Sequence, residues 1–242
     1  MLKDFNSIPK TDRVIIALDC EADKALSIAY QLAGEASWVK IGMTLYYAYG
    51  TDLVKMLKAR GYKVFLDLKF HDIPHQVRGA ARSAAESGAD MITMHTDGGV
   101  PMMVAALEGA AEGAANIGSD VPVTLGITVL TSMDDSTLTE IGVCRPMQEQ
   151  VLCLAGLAKK AGISGVVASP QEASALRKEL GDDAYIVCPG VRPLGSAIGD
   201  QSRIATPADA FANGASHIVI GRPITDADDP IAAFRAIAAE LS

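Results

Sequence analysis

Residues 65–74, F-L-D-L-K-F-H-D-I-P, pass from an apolar stretch of strand character into a turn, and a helical pattern takes over at His75. On a strand, residues two apart share a face, so Asp67 and Lys69 are expected to point one way while Leu66, Leu68 and Phe70 fill the other. The same strand–turn–helix unit recurs along the chain. Short β-branched runs at 14–19, 38–42, 63–69, 91–95, 123–129, 165–169, 185–190 and 217–221 are the expected strands. Between them lie Ala-rich amphipathic stretches at 23–32, 52–59, 75–87, 100–115, 147–161, 171–179, 207–213 and 230–241. Near-continuous apolar strands suit a parallel sheet whose faces are covered. Gly61, Gly88, Gly162, Gly181 and Gly214 stand where helical stretches stop and left-handed caps are expected. Eight β-then-α units in 242 residues predict an α/β fold, a (β/α)8 TIM barrel forming one domain over 1–242. An open doubly wound sheet would require a glycine fingerprint after the first strand, and Leu18-Asp19-Cys20-Glu21 has none.

Composition narrows the function classes. Hydrophobic residues at 49% and charged residues at 21% support a sizeable buried core. A formal charge of -8 argues against a nucleic-acid partner, which would call for a basic face. An anionic ligand would therefore have to be captured by local cations. Residues 1–13 are polar and lack the apolar stretch of a secretory signal, and no run is long enough to span a bilayer. A cytoplasmic protein with no membrane association is expected. Cys20, Cys144, Cys153 and Cys188 have no C-x-x-C spacing and are expected to be reduced packing thiols rather than a zinc site or a disulfide framework.

In a barrel of this kind chemistry sits at the C-terminal ends of the strands. Asp19 ends the first run, Lys40 lies near the end of the second, and Asp67 with Lys69 end the third, with Asp72 just beyond. Thr128, Thr131 and Ser132 follow the fifth, Arg192 the seventh, and Gly221-Arg222 the eighth. An Asp-x-Lys-x-x-Asp array costs stability unless its charges pair, so its presence at a strand end points to chemistry. The loops after strands seven and eight, Pro189-Gly190-Val191-Arg192 and Ile220-Gly221-Arg222-Pro223, offer glycines for close backbone approach and two guanidiniums for bidentate contact with an oxyanion. A phosphorylated small molecule is the expected ligand class. His71 and His75 stand four apart, but Pro74 interrupts the spacing and no metal is expected there. His95 and His217 read as satisfied strand-end histidines, and Met102-Met103 as core filler.

Several motifs in order carry a family resemblance: A-L-D at 17–19, V-K-I-G at 39–42, L-D-L-K-F-H-D-I-P at 66–74, V-L-T-S-M at 129–133, P-G-V-R-P at 189–193, G-D-Q at 199–201 and V-I-G-R-P-I-T at 219–225. Together, over about residues 13–230, the chain resembles the bacterial orotidine 5′-phosphate decarboxylases. The resemblance implies a (β/α)8 homodimer that converts orotidine 5′-monophosphate to UMP and carbon dioxide without metal or organic cofactor. It implies that Lys69 donates a proton to C6, that Asp67 faces the departing carboxylate, and that Lys40 and Asp19 hold the ribose hydroxyls and order the charge chain. Asp72 and Ile73 would reach into the neighbouring subunit's site. Thr131 or Ser132 would contact the pyrimidine, and Arg192, Gln201, the Gly221 amide and Arg222 the phosphate. A lid around 193–201, with Gly195 and Gly199, would close over the ligand.

One position departs from the family pattern. Two residues past Pro74 the family usually carries Thr, and this chain has Gln76, so a ribose contact would pass to an amide or to water. Three rivals remain at this level. One is a Mg²⁺-dependent relative with the same array, a hexulose-phosphate synthase or keto-gulonate-phosphate decarboxylase. Another is a Schiff-base aldolase, and the third a phosphometabolite-binding protein without chemistry.

Overall fold

The computed structural model describes residues 4–193 and 205–241. Its strands are β1 (Val14–Ala17), β2 (Trp38–Gly42), β3 (Lys63–Phe70), β4 (Met91–His95), β5 (Val123–Ile127), β6 (Gly165–Val167), β7 (Tyr185–Cys188) and β8 (His217–Ile220). They close into a barrel in sequence order, and β8 pairs in parallel with β1. The helices are α1 (Ala22–Gln31), α2 (Met43–Lys58), α3 (Pro74–Glu86), α4 (Gly99–Ile117), α5 (Asp135–Glu140), α6 (Met147–Ala161), α7 (Ala173–Leu180), α8 (Pro207–Ala212), α9 (Arg222–Thr225) and α10 (Pro230–Glu240). All eight expected strands and the expected TIM barrel are present. None of the helices described is long and apolar enough to cross a membrane.

Strand alternation divides the core into two compartments. Ile15, Phe65, Leu125, Val187 and Val219 point into the barrel, whereas Ile16, Leu66, Ile92, Ile186 and Ile218 pack outward under the helices. Phe5 closes the floor of the barrel, its ring edge-on to Tyr185 at 5.0 Å and to His217 at 6.0 Å. His217 is thus a buried strand-end histidine, as expected, at the N-terminal end of β8 among the aromatic rings of the floor and away from the mouth. With the floor filled and the middle apolar, the described residues leave the barrel interior open to a ligand at its C-terminal mouth. Met102 and Met103 are buried core residues, as expected. The four cysteines are free, but only Cys188 is fully packed away and Cys144 is exposed.

Three helical segments escaped the sequence pattern: the first half of α2, α5, and the single-turn α9 that follows Gly221. α2 begins at Met43, nine residues before the expected start at 52, because Gly50 (φ 64°, ψ -153°) breaks the helical period and Tyr46, Tyr47 and Tyr49 obscure it. α5 rests on an Asp134 cap whose Oδ1 accepts the Thr137 N–H at 2.8 Å, in a stretch too polar to show an apolar stripe. α3 and α4 pack closely because Gly109 has no side chain: a Cβ there would lie 2.0 Å from the Arg78 carbonyl oxygen.

The ladder between β3 and β4 is irregular at the position that matters most. Leu66 pairs with Ile92 and Phe70 with Met94, so Asp67, Leu68 and Lys69 lie opposite Thr93 alone. An excess of one residue would flip every later side chain to the other face; an excess of two preserves the alternation. Leu66, Leu68 and Phe70 accordingly all pack outward, and Asp67 and Lys69 both face the mouth of the barrel.

Candidate active site

The mouth of the barrel is a cavity of about 470 Å³ whose walls include Asp19, Lys40, Asp67, Lys69, Arg192 and Arg222. These residues come from the ends of β1, β2, β3, β7 and β8, so sequence-distant charges converge because the barrel aims every strand end at one place. Lys40 Nζ lies 2.8 Å from Asp19 Oδ1 and 3.6 Å from Asp67 Oδ2, and Lys69 Nζ lies 2.8 Å from Asp67 Oδ2. The result is an alternating chain, Asp19–Lys40–Asp67–Lys69, with no two like charges adjacent. Gly42 leaves space for it: a Cβ there would sit 3.0 Å from Asp19 Oδ1 and 3.4 Å from Lys40 Nζ.

Asp67 is the pivot. Burial alone would push its carboxyl up, but the ammonium groups of Lys40 and Lys69, with hydrogen bonds from Lys69 and Thr93, outweigh burial and hold it below the usual carboxylate range. The sign for stability follows. A carboxyl whose folded value lies below its unfolded value stabilises the protein above the unfolded value, and that contribution fades as pH falls toward the folded one. Asp67→Asn should therefore flatten the acid side of the unfolding free-energy profile. Below about pH 4 the slope should lose up to about 1.4 kcal/mol per pH unit. Urea midpoints measured against pH check this, and an acid limb as steep as that of the parent protein would refute it.

Lys69 has φ 54°, and among the described residues it is the one non-glycine residue in the left-handed region. Such a backbone costs on the order of 1–3 kcal/mol and persists where its surroundings impose it. Here they do: the Lys69 N–H donates to Thr93 Oγ1 at 2.9 Å, and the Thr93 hydroxyl donates to Asp67 Oδ1 at 2.9 Å. Thr93 is fully buried on β4. Its role was not legible in the sequence, where M-I-T-M-H reads as an ordinary apolar strand.

Of the other expected site residues, Thr131, Gly221 and Arg222 line the cavity, and Arg192 is buried in its wall. Thr128 instead turns its hydroxyl onto the Val167 carbonyl at 3.0 Å. Ser132 is exposed and not part of the wall. Asp72, Ile73 and Gln76 are also exposed and outside the wall. The Asp72 carboxylate accepts the Ile73 N–H at 2.6 Å and makes no ion pair with Lys69. Within one chain, then, the ammonium is flanked by Asp67 and not by both aspartates. Gln201 and nearly all of the expected lid lie outside the described residues. His71 and His95 both approach Asp97 Oδ1 at 3.7 Å, and burial lowers the His95 imidazole below its ordinary range despite the opposing Asp97 charge.

Thr225 is a further residue that strand-end reasoning missed. It is buried on α9, directly after Gly221-Arg222, and lines the same cavity. It could have been found by following the chain one turn past the last strand.

Comparison with known proteins supplies the family. Residues 12–237 match the orotidine 5′-phosphate decarboxylase / HUMPS family. An orotidine 5′-phosphate decarboxylase of Alkalilimnicola ehrlichii is 49% identical over 231 residues, 95% of this chain and 96% of the relative. One from Moorella thermoacetica is 48% identical over 242 residues, 99% of this chain and 96% of the relative. Among solved structures, the orotidine 5′-phosphate decarboxylase of Lactobacillus acidophilus superimposes with a TM-score of 0.85 at 42% identity, covering 96% of this chain and 99% of that one. With a closed eightfold barrel, an Asp-x-Lys-x-x-Asp strand end and a match over nearly its whole length, the chain belongs to the orotidine 5′-phosphate decarboxylase / HUMPS family.

Proposed function

We propose that the protein is a carboxy-lyase of pyrimidine synthesis that converts orotidine 5′-monophosphate to UMP and carbon dioxide, acting as a cytoplasmic homodimer without metal or organic cofactor. The observation that carries this reading is the Asp19–Lys40–Asp67–Lys69 chain in one cavity with Arg192 and Arg222. Curated relatives at 45–49% identity carry the decarboxylase name, which favours this activity over the Mg²⁺-dependent branch of the family. The four free thiols suit a reducing compartment.

Each residue of the site then has a part in the proposed chemistry. The phosphate is held by Arg192, Arg222, the Gly221 amide and Gln201, and the ribose hydroxyls by Asp19 and Lys40. The pyrimidine lies against Thr131, with Ser132 and Gln76 in lesser roles at the edge. When the C6–carboxylate bond breaks, its electron pair remains on C6, where the ring delocalises it poorly. An ammonium fixed beside that atom stabilises the developing charge and then transfers a proton from Lys69 Nζ to C6. Asp67, kept ionised, faces the substrate carboxylate. Unit charges at ~4 Å with an effective dielectric of ~20 repel by roughly 4 kcal/mol, and that repulsion disappears as carbon dioxide leaves. Phosphate contacts far from C6 hold the substrate against it. Asp72 and Ile73 complete the site of the neighbouring subunit.

The decisive assay follows loss of orotidine 5′-monophosphate by ultraviolet absorbance with and without EDTA. Chelator-resistant turnover is expected. Turnover that requires Mg²⁺, or UMP binding without decarboxylation, would overturn the reading.

A further inference from the structure

We infer that Thr93 is a positioning residue for this reaction, its single hydroxyl fixing both the carboxylate of Asp67 and the left-handed backbone of Lys69. The inference rests on the reading of Lys69 and Asp67 given above and adds a residue from the neighbouring strand.

The ladder geometry makes the case. Between Leu66↔Ile92 and Phe70↔Met94, three residues of β3 face one residue of β4, so the regular exchange of backbone hydrogen bonds cannot continue through Asp67–Lys69. A buried N–H left without an acceptor is costly. Thr93 Oγ1 takes the place of the missing carbonyl, accepting from Lys69 N at 2.9 Å, and spends its own proton on Asp67 Oδ1, also at 2.9 Å. Asp67 Oδ2 is then left to the two ammonium groups, Lys69 at 2.8 Å and Lys40 at 3.6 Å. One oxygen of the carboxylate is locked to the scaffold, and the other is aimed at the cations. Removing the hydroxyl frees the carboxylate to rotate and removes what holds Lys69 at φ 54°, so both reacting groups lose their aim while phosphate and ribose contacts are untouched.

Thr93→Val keeps the volume and removes the hydroxyl. Its kcat should fall about 10- to 100-fold with KM within about threefold of the parent, and the acid limb of the kcat/KM profile should move to higher pH. Thr93→Ser should recover kcat to within about threefold, although its lost methyl group lowers thermal stability. If Thr93→Val does not yield folded protein, Thr93→Ser is compared with Thr93→Ala, and serine is expected to exceed alanine by about tenfold. A Thr93→Val enzyme with the parent kcat and pH profile, or equal activity of the serine and alanine variants, would overturn the inference. Lys69→Ala measured in parallel separates the two possible failures. Activity surviving in Lys69→Ala overturns the reading of the site and the inference with it, whereas an inactive Lys69→Ala beside a fully active Thr93→Val overturns the inference alone.

Discussion

Lys69→Ala is expected to lose turnover of orotidine 5′-monophosphate by about 10⁴-fold or more while still binding UMP. The two effects separate because different groups carry them. In the proposed mechanism binding draws on Arg192 and Arg222 in the cavity wall and on the Asp19–Lys40 pair at 2.8 Å, none of which pairs with Lys69. The proposed chemical step draws on an ammonium beside C6, both as opposing charge and as proton source, and Lys69 is the member of the Asp19–Lys40–Asp67–Lys69 chain assigned to it. Single-turnover absorbance gives the first quantity and calorimetric titration with UMP the second. Loss of binding along with turnover would mean that Lys69 organises the pocket rather than acts in it, and retained turnover would remove it from the mechanism. Borohydride trapping adds a further check. A Lys69 amine held 2.8 Å from the buried Asp67 carboxylate is engaged there rather than free to attack a carbonyl, and no imine should be trapped.

The second large effect concerns Asp72. Asp72→Ala alone should be nearly inactive, and so should Lys69→Ala, yet the two variants mixed and allowed to exchange subunits should recover about a quarter of the parent activity. That fraction follows from random pairing. Half of the dimers are mixed, and each mixed dimer holds one site with both Lys69 and Asp72 intact. The motivation is structural: Asp72 pairs with no cation among the described residues of its own chain, and its neighbour Ile73 is 63% exposed, a large apolar side chain for a subunit contact to cover. Tyr47, 75% exposed in the first half of α2, is another. Activity that stays at the background of the two variants would place Asp72 in its own subunit's site or outside any site.

The strands could be read from the sequence because each is a short β-branched run buried on both sides, and a parallel barrel leaves such runs no other place to go. Asp67 and Lys69 could be paired from alternation alone, although for a reason that the alternation does not contain. The two strands are out of register there by two residues, and an even excess hides itself from period-two reasoning. For the same cause Thr93 was invisible. Its importance comes from what lies across the ladder, and no local pattern in M-I-T-M-H encodes a three-against-one pairing. Asp72 shows the opposite limit. Spacing placed it beside Lys69, but past Phe70 the chain has left the strand, and the turn carries the carboxylate out to solvent. The early start of α2 was lost to Gly50 and three tyrosines, which break the helical period without preventing the helix that tertiary packing supports.

The most direct test is a crystal structure of the protein with UMP bound. Expected is C6 of the base within about 3 Å of Lys69 Nζ, the ribose hydroxyls against Asp19 and Lys40, and the phosphate against Arg222 and the Gly221 amide. A nucleotide bound with its phosphate away from these groups, or a Lys69 side chain turned from the base toward solvent, would contradict the account.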